Sequence, residues 1–149
     1  MPWWLVFIVL IILYIYMSYY YRYPKDTKVL NAMFNTFNAA LLYDRHPIIL
    51  VDVPDMQTVT STFFKYLPTT HFSVNEQEWH KNKYKYALIQ NSEEIHLLPA
   101  YKQLSPEETL ITLQMKPNYL LILPFHWHYS TSQATEVVGV NDYVTWLLP

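Results

Sequence analysis

Two histidines two residues apart, His126 and His128, offer the clearest possibility of chemistry in this chain. They follow an apolar run, Tyr119 to Leu123, that Pro124 closes and that is typical of a buried strand. In an extended chain the two imidazoles would share one face, with Trp127 on the other. Neutral imidazoles are common ligands of zinc and iron. Because no carboxylate stands nearby in the sequence, we favour the interpretation that both are half-buried histidines, hydrogen-bonded at a strand end.

The elements that would position these histidines are mostly short, apolar strands. Most of the runs are bounded by proline or by polar turn residues, and the run Tyr119 to Leu123 is too short to stand as an independent helix. The tetrapeptide Asn91-Ser-Glu-Glu94 separates two of the runs and is typical of the turn of a β-hairpin. The predicted strands are 47–53, 86–90, 95–99, 110–115, 119–123 and 136–146, with further strand structure from about Thr70.

Two stretches ahead of most strands are predicted as helices. From Val29 to Leu41 the apolar residues recur three and four positions apart, which predicts one packed face. A second helix is expected to begin at Asp55, whose carboxylate can cap it, and to end at Tyr66. Helices first and closely spaced strands afterwards predict a mainly β fold, as a small antiparallel sandwich or barrel.

The N-terminal segment is predicted to be a transmembrane helix. Residues 3–21 carry no charge and would be about 28 Å long as a helix, enough to span a bilayer core. Basic residues, beginning with Arg22, follow the segment, so the positive-inside rule places the C-terminal domain in the cytosol. We expect an anchor at 1–22, a linker at 23–28 and a domain at 29–149. The anchor's interface residues would be Trp3, Trp4, Tyr19, Tyr20, Tyr21 and Arg22.

Composition excludes several classes of function. The chain has 149 residues, a net charge of −2 and only 15 % charged residues, so no nucleic-acid partner is expected. It has no cysteine, which excludes thiolate zinc sites and cysteine nucleophiles. Its single glycine, Gly139, excludes glycine-rich nucleotide-binding loops. The hydrophobic fraction of 52 % is enough for one domain with a real core.

The order of motifs in the C-terminal part resembles the cupin-like and JmjC-like domains of the Fe(II)- and 2-oxoglutarate-dependent oxygenases. The segment Leu123-Pro-Phe-His-Trp-His128 is similar to that family's proline–tryptophan–histidine turn, and Val140-Asn-Asp-Tyr143 is similar to the strand that follows it. The resemblance implies a jelly-roll sandwich in which His80, Asn82 and His128 occupy the metal-ligand positions. It also singles out His126, Trp127 and Asn141 as neighbours of that site.

Departures from the family pattern imply that the chemistry has been lost. Asn82 supplies an amide where the family has a carboxylate ligand, and Glu93 stands where a lysine would bind 2-oxoglutarate. Glu76 or Glu78 could replace the missing carboxylate from an adjacent loop. We therefore predict a pseudoenzyme with no catalytic residues, no metal and no cofactor.

The function predicted from these features is that of a non-enzymatic, single-pass membrane protein with a structural or interaction role. Its partners would be the lipid bilayer and other proteins. One setting that fits is the internal membrane of a large DNA virus, where a minor capsid protein links membrane and capsid proteins. Two alternatives stay open: a membrane-anchored Fe(II)/2-oxoglutarate oxygenase, and a small-ligand-binding cupin.

Overall fold

The computed structural model describes residues 2–20, 28–90, 93–99 and 110–142. Two α-helices, two 3-10 helices and ten strands occupy these segments. The helices are α1 (Trp3–Tyr20), α2 (Met56–Phe63) and the 3-10 helices Phe34–Thr36 and Ala39–Asp44. The strands are β1 (Leu30–Met33), β2 (Ile48–Val51), β3 (Thr69–Val74), β4 (His80–Lys81), β5 (Tyr86–Gln90), β6 (Glu94–Leu98), β7 (Ile111–Gln114), β8 (Leu120–Pro124), β9 (His128–Thr131) and β10 (Thr135–Val140).

The strands form two sheets, and the fold is a mainly β sandwich. The larger sheet has six strands in the order β1-β2-β8-β5-β10-β3, and the smaller has four in the order β4-β9-β6-β7. The β1–β2 pair is parallel, and the other pairs are antiparallel. The predicted mainly β fold is therefore confirmed as a sandwich, but the expectation of purely antiparallel strands is wrong at β1, which pairs in parallel with β2.

The larger sheet has an apolar layer on each of its faces. One layer lies between the sheets and includes Ile89 and Leu121, together with Leu97 from the smaller sheet. The other lies under α2 and the 3-10 helices and includes Leu88 and Ile122. A strand buried on both faces needs apolar residues at consecutive positions, which accounts for the continuous apolar runs of β5 and β8.

Two of the predicted elements are confirmed with small changes at their ends. The run before Asp52 forms β2, and the run before Pro124 forms β8, an interior strand of the larger sheet. Asp55 caps α2 as predicted, because its Oδ1 accepts a hydrogen bond from the Thr58 N–H at 2.6 Å. Helix α2 ends at Phe63 rather than at Tyr66.

The helix predicted from Val29 to Leu41 is wrong. The stretch begins as β1, which pairs in parallel with β2, and continues as 3-10 helix. Its periodicity is genuine but its helix propensity is weak, because asparagines interrupt it and Asn38 accepts a hydrogen bond from the Ala40 N–H at 2.9 Å. Pairing with a buried strand outweighs the local pattern.

The hairpin predicted between 86–90 and 95–99 is also wrong. Both runs are strands, but β5 lies in the larger sheet and β6 in the smaller one. The connection therefore crosses between sheets; its Asn91 and Ser92 lie outside the described residues. The predicted last strand extends to residue 146, but the described strand β10 ends at Val140 and residues 143–149 lie outside the described residues.

Helix α1 exposes apolar side chains around its whole circumference. Their exposed fractions run from 84 % at Trp3 to 37 % at Met17. Within the described residues, no helix meets the combined length and hydropathy required of a membrane span. Tyr21, Arg22 and the linker residues 23–27 lie outside the described residues, as do the side chains of Tyr19 and Tyr20.

Candidate functional site

Asn82 lies at the centre of the region that the sequence singled out. Its side chain is 2 % exposed, and its Nδ2 donates hydrogen bonds to the carbonyls of Leu123 and Pro124, both at 2.9 Å. Its Oδ1 accepts a hydrogen bond from the Tyr84 N–H at 3.0 Å. Both amide hydrogens and the amide oxygen are therefore engaged in holding the end of β8 against the start of the β4–β5 connection.

The backbone of Asn82 fixes the turn between β8 and β9. Its N–H donates to the carbonyl of Trp127 at 2.8 Å, and its carbonyl accepts from the N–H of His126 at 2.7 Å. His126 adopts a positive φ of 68° in this turn, and its ring stacks on Phe125 with 3.6 Å between ring centroids. The prediction that His126 and His128 share one face of an extended strand is wrong, because the chain at His126 is not extended.

The register of β4 and β9 separates the proposed metal-ligand positions. His80 pairs with Tyr129, and Lys81 pairs with His128. Directly paired residues of antiparallel strands project to the same side of their sheet. Tyr129 belongs to the core between the sheets, so His80 projects inward and His128 projects outward beside Lys81. A shift of one residue in this pairing would exchange the two faces of the strand. The observed register therefore determines that Tyr129, and not His128, lies opposite His80.

These residues do not fit an iron site. A 2-His-1-carboxylate site needs three ligands on one side of the sheet. Here Asn82 has no carboxylate and its amide is fully hydrogen-bonded, while His128 faces away from His80. Within the described residues, no group of three or more histidine, aspartate and glutamate side chains is arranged to hold a metal ion.

Glu78, one of the two substitutes considered for the missing carboxylate, lies near His80. Its Oε2 is 3.9 Å from His80 Nε2 and accepts a hydrogen bond from Asn75 Nδ2 at 3.1 Å. Glu76 is exposed. Glu93, at the position of the cosubstrate lysine, lies beside Met115, whose N–H donates to its carbonyl at 2.8 Å. None of these contacts brings a carboxylate toward His128.

His126 and His128 lie close to the positive charge of Lys81. Burial lowers the pKa of His126 to about 4, and the charges of Lys81, His128 and Arg45 act in the same direction. Burial also lowers the pKa of His128, with Lys81 as the second cause. His128 is 9 % exposed, and its Nδ1 has no hydrogen-bond partner among the described residues. Both imidazoles are therefore neutral at pH 7.

A small cavity of about 240 Å³ opens beside His80, between β3 and β4. Its aromatic walls are Tyr129, whose ring centroid is 5.6 Å from that of His80, and Tyr84, which stacks on Phe72 at 5.3 Å. Burial raises the pKa of Tyr129, and Tyr84 raises it further. A Cβ on Gly139 would lie 2.5 Å from a ring carbon of Tyr84, so the chain's only glycine lets this ring approach the sheet.

The remaining predicted residues are structural in this arrangement. Trp127 is 1 % exposed in the core between the sheets, and its Nε1 has no hydrogen-bond partner among the described residues. The N–H of Asn141 donates to the carbonyl of Pro68 at 2.9 Å. A larger groove of about 450 Å³ lies elsewhere, between α2 and the outer face of β3, β5 and β10.

Sequence reasoning missed Lys81, Tyr84 and Tyr129. Alternation in a strand would have marked Tyr129 as an inward neighbour of Trp127. The pairing of Lys81 with His128 joins segments that are remote in the sequence, so no local pattern could identify it.

No protein-family model, curated protein or solved structure matches this chain. The resemblance to cupin-like and JmjC-like domains therefore stays a prediction.

Proposed function

We propose that this chain is a non-enzymatic, membrane-anchored protein with a structural or interaction role. Helix α1 is the anchor in the bilayer, and the β-sandwich stands on the cytosolic surface. The domain places an interaction surface at the membrane and carries out no iron-dependent chemistry. Its partners are the bilayer and other proteins; the setting in a viral capsid stays a prediction from composition.

The exposure of α1 carries this proposal. Its described apolar side chains are exposed on every side, whereas a helix packed on a soluble domain hides at least one apolar stripe. The helix has 18 residues, about 27 Å at 1.5 Å per residue, which is close to the thickness of a bilayer core. Lipid is the environment in which apolar residues all around a helix are favourable.

The strand order supports a cupin-like jelly roll as the finer description of the sandwich. From β3 to β10 the chain passes back and forth between the sheets, except at the β6–β7 hairpin. Strands β3, β5, β8 and β10 thus lie in one sheet and β4, β6, β7 and β9 in the other, which is the arrangement of two Greek keys in a jelly roll.

The hydrogen bonds of the Asn82 side chain support the non-enzymatic part of the proposal. This side chain would have to break its hydrogen bonds to the carbonyls of Leu123 and Pro124 before it could contact a metal. Even then His128 would remain on the other face of the smaller sheet. The alternative of an anchored oxygenase needs ligands that the described residues do not bring together.

Alkaline extraction and protease protection test the anchor. The full chain, inserted into vesicles during cell-free synthesis, should resist carbonate extraction. Protease added from outside should digest the domain in inside-out vesicles, whose cytosolic face is outward, and should not reach it in vesicles of the opposite orientation. Replacing Leu10 and Leu13 together with arginine should release the chain, because each charge in a bilayer core costs about 2.5–3.5 kcal/mol. The matched control, Tyr66→Arg, adds charge on an exposed residue of the domain and should stay inserted. Extraction of the wild-type chain would refute the anchor, and a domain protected on the cytosolic side would refute the orientation.

A further inference from the structure

The sandwich has two ends that differ in charge. Strand β5 runs from Tyr86 to Gln90, with Pro124 and Val140 paired to Tyr86 and Leu120 paired to Gln90. We call the end at Tyr86, Pro124 and Val140 the basic end, and the end at Gln90 and Leu120 the acidic end.

Cationic side chains gather at the basic end. Lys85 directly precedes Tyr86, and its Nζ lies 5.9 Å from that ring's centroid. Arg45 lines a narrow crevice with Lys85 and Phe125. Lys81 pairs with His128, at the start of the strand that follows the β8–β9 turn. Among the described residues, the cations at this end are Lys28, Arg45, Lys65, Lys81, Lys83 and Lys85.

Carboxylates gather at the acidic end. Glu136 lies in one groove with Gln90, and Glu93 lies in another with Gln90 and Lys116. In the part of the chain that the structure describes, the acidic residues toward this end are Asp52, Asp55, Glu76, Glu78, Glu93, Glu94 and Glu136. Of the lysines and the arginine in the described segments, Lys116 alone lies here. The net charge of −2 therefore conceals a strong separation of charge.

The basic end is also the end that meets α1. Tyr16 in the last part of α1 donates a hydrogen bond to Asp142 Oδ2 at 2.5 Å, and Lys85 Nζ lies 3.1 Å from the same oxygen. Among the described residues, Asp142 and Asp44 are the carboxylates at this end, and Asp142 is paired with Lys85 and Tyr16. If α1 lies in a bilayer, the basic end is held at the level of the lipid headgroups.

We propose that the basic end is a docking surface for anionic phospholipid headgroups. The proposal rests on the membrane anchor proposed above, which brings this end to the bilayer. Charge complementarity supports it, because the cytosolic leaflet is negatively charged and attracts lysine and arginine held near its surface. The acidic end would then be repelled from the membrane, which orients the domain with its distal surface toward other partners.

One further observation agrees with a positive potential at this end. Lys81 pairs directly with buried His128, whose Nδ1 has no hydrogen-bond partner among the described residues. Phosphate and carboxylate groups of a lipid headgroup would lower this potential and supply acceptors for the lysines.

Hydrogen exchange of the full chain in lipid nanodiscs tests the docking. The discs contain phosphatidylcholine alone, or phosphatidylcholine with about 30 % phosphatidylserine as the anionic component. Amides of residues 81–86 and 125–128 should exchange about fivefold more slowly in the anionic discs, and the difference should disappear in about 0.5 M salt. Amides near Lys116, at the acidic end, should exchange equally in both discs.

Matched charge reversals locate the effect. Lys81→Glu and Lys83→Glu, both on exposed side chains, should each reduce the protection by anionic lipid. Lys116→Glu makes the same change at the acidic end and should leave the protection unchanged. Comparing each variant in both kinds of disc removes any effect of the substitution on local exchange.

The outcomes separate this inference from the anchor. A chain that fails to insert into neutral discs refutes the anchor. A chain that inserts but exchanges equally in neutral and anionic discs refutes the docking surface alone. Equal losses of amide protection with Lys81→Glu and Lys116→Glu would indicate nonspecific attraction. Amide protection by an added oligonucleotide but not by anionic lipid would assign the surface to another polyanion. Either result overturns the proposal.

Discussion

Replacing Asn82 with aspartate discriminates between a lost metal site and a structural residue. The motif alone suggests that a carboxylate at this position restores an iron ligand. The structure predicts destabilisation instead, because the Nδ2 group donates to two buried carbonyls, those of Leu123 and Pro124, at 2.9 Å each. A carboxylate cannot donate, and its negative charge would face those two carbonyl oxygens.

The magnitude follows from the lost hydrogen bonds. Each carbonyl left without a donor costs about 1–3 kcal/mol, so the two together cost about 2–6 kcal/mol in the free energy of unfolding. For a domain of this size the unfolding midpoint should fall by about 8–24 °C. The deficit should shrink at acidic pH, because burial raises the pKa of the new carboxyl group and its protonated form can donate one hydrogen bond.

Thermal and urea unfolding of the full chain in detergent, followed by near-UV circular dichroism, measure the effect. Asn35→Asp makes the same change at an exposed position and should shift the midpoint little. A variant Asn82→Asp that matches the wild type within about 0.5 kcal/mol would refute the structural role of the amide. Stoichiometric iron in that variant, absent after His80→Ala, would show that the site can form after all.

Three further predictions concern the core, the histidines and the metal. Gly139→Ala should lower the free energy of unfolding by about 1–3 kcal/mol, because the new methyl group meets the Tyr84 ring. The loss should be smaller in a Tyr84→Leu background, and additive losses from the two substitutions would contradict this coupling. The pKa of His126 is about 4 in the folded chain and near 6.5 in the unfolded chain, so the unfolded chain gains a proton first as the pH falls. The free energy of unfolding should therefore fall by about 1–2 kcal/mol as the pH drops from the higher of these pKa values to the lower, after allowance for the partial exposure of the ring. His126→Gln should lose this dependence on pH, and an unchanged dependence in that variant would contradict the prediction. Fe(II) with 2-oxoglutarate should leave the wild-type unfolding midpoint unchanged, and an increase abolished by His80→Ala would favour the oxygenase alternative.

The sequence predicted the strands more reliably than their partners. Apolar runs closed by proline or polar turns identify β2 and β8, and Asp55 identifies the start of α2, because these signals depend on neighbouring residues. The stretch from Val29 has helical periodicity, yet it adopts strand and 3-10 structure because pairing with β2 is a long-range interaction. The supposed hairpin of β5 and β6 fails for the same reason, since a polar turn does not determine which sheet the next strand joins.

The candidate site divides in the same way. From the sequence alone, the resemblance in motif order singles out His80, Asn82 and His128 and implies that a carboxylate is missing among them, and residues 3–21 carry no charge. Only the tertiary structure decided that His128 faces away from His80, because a shift of one residue in the pairing of two strands exchanges the faces to which their side chains project. It also decided that lysines spread along the chain meet at one end of the sandwich, since antiparallel pairing brings distant residues to the same end of a sheet.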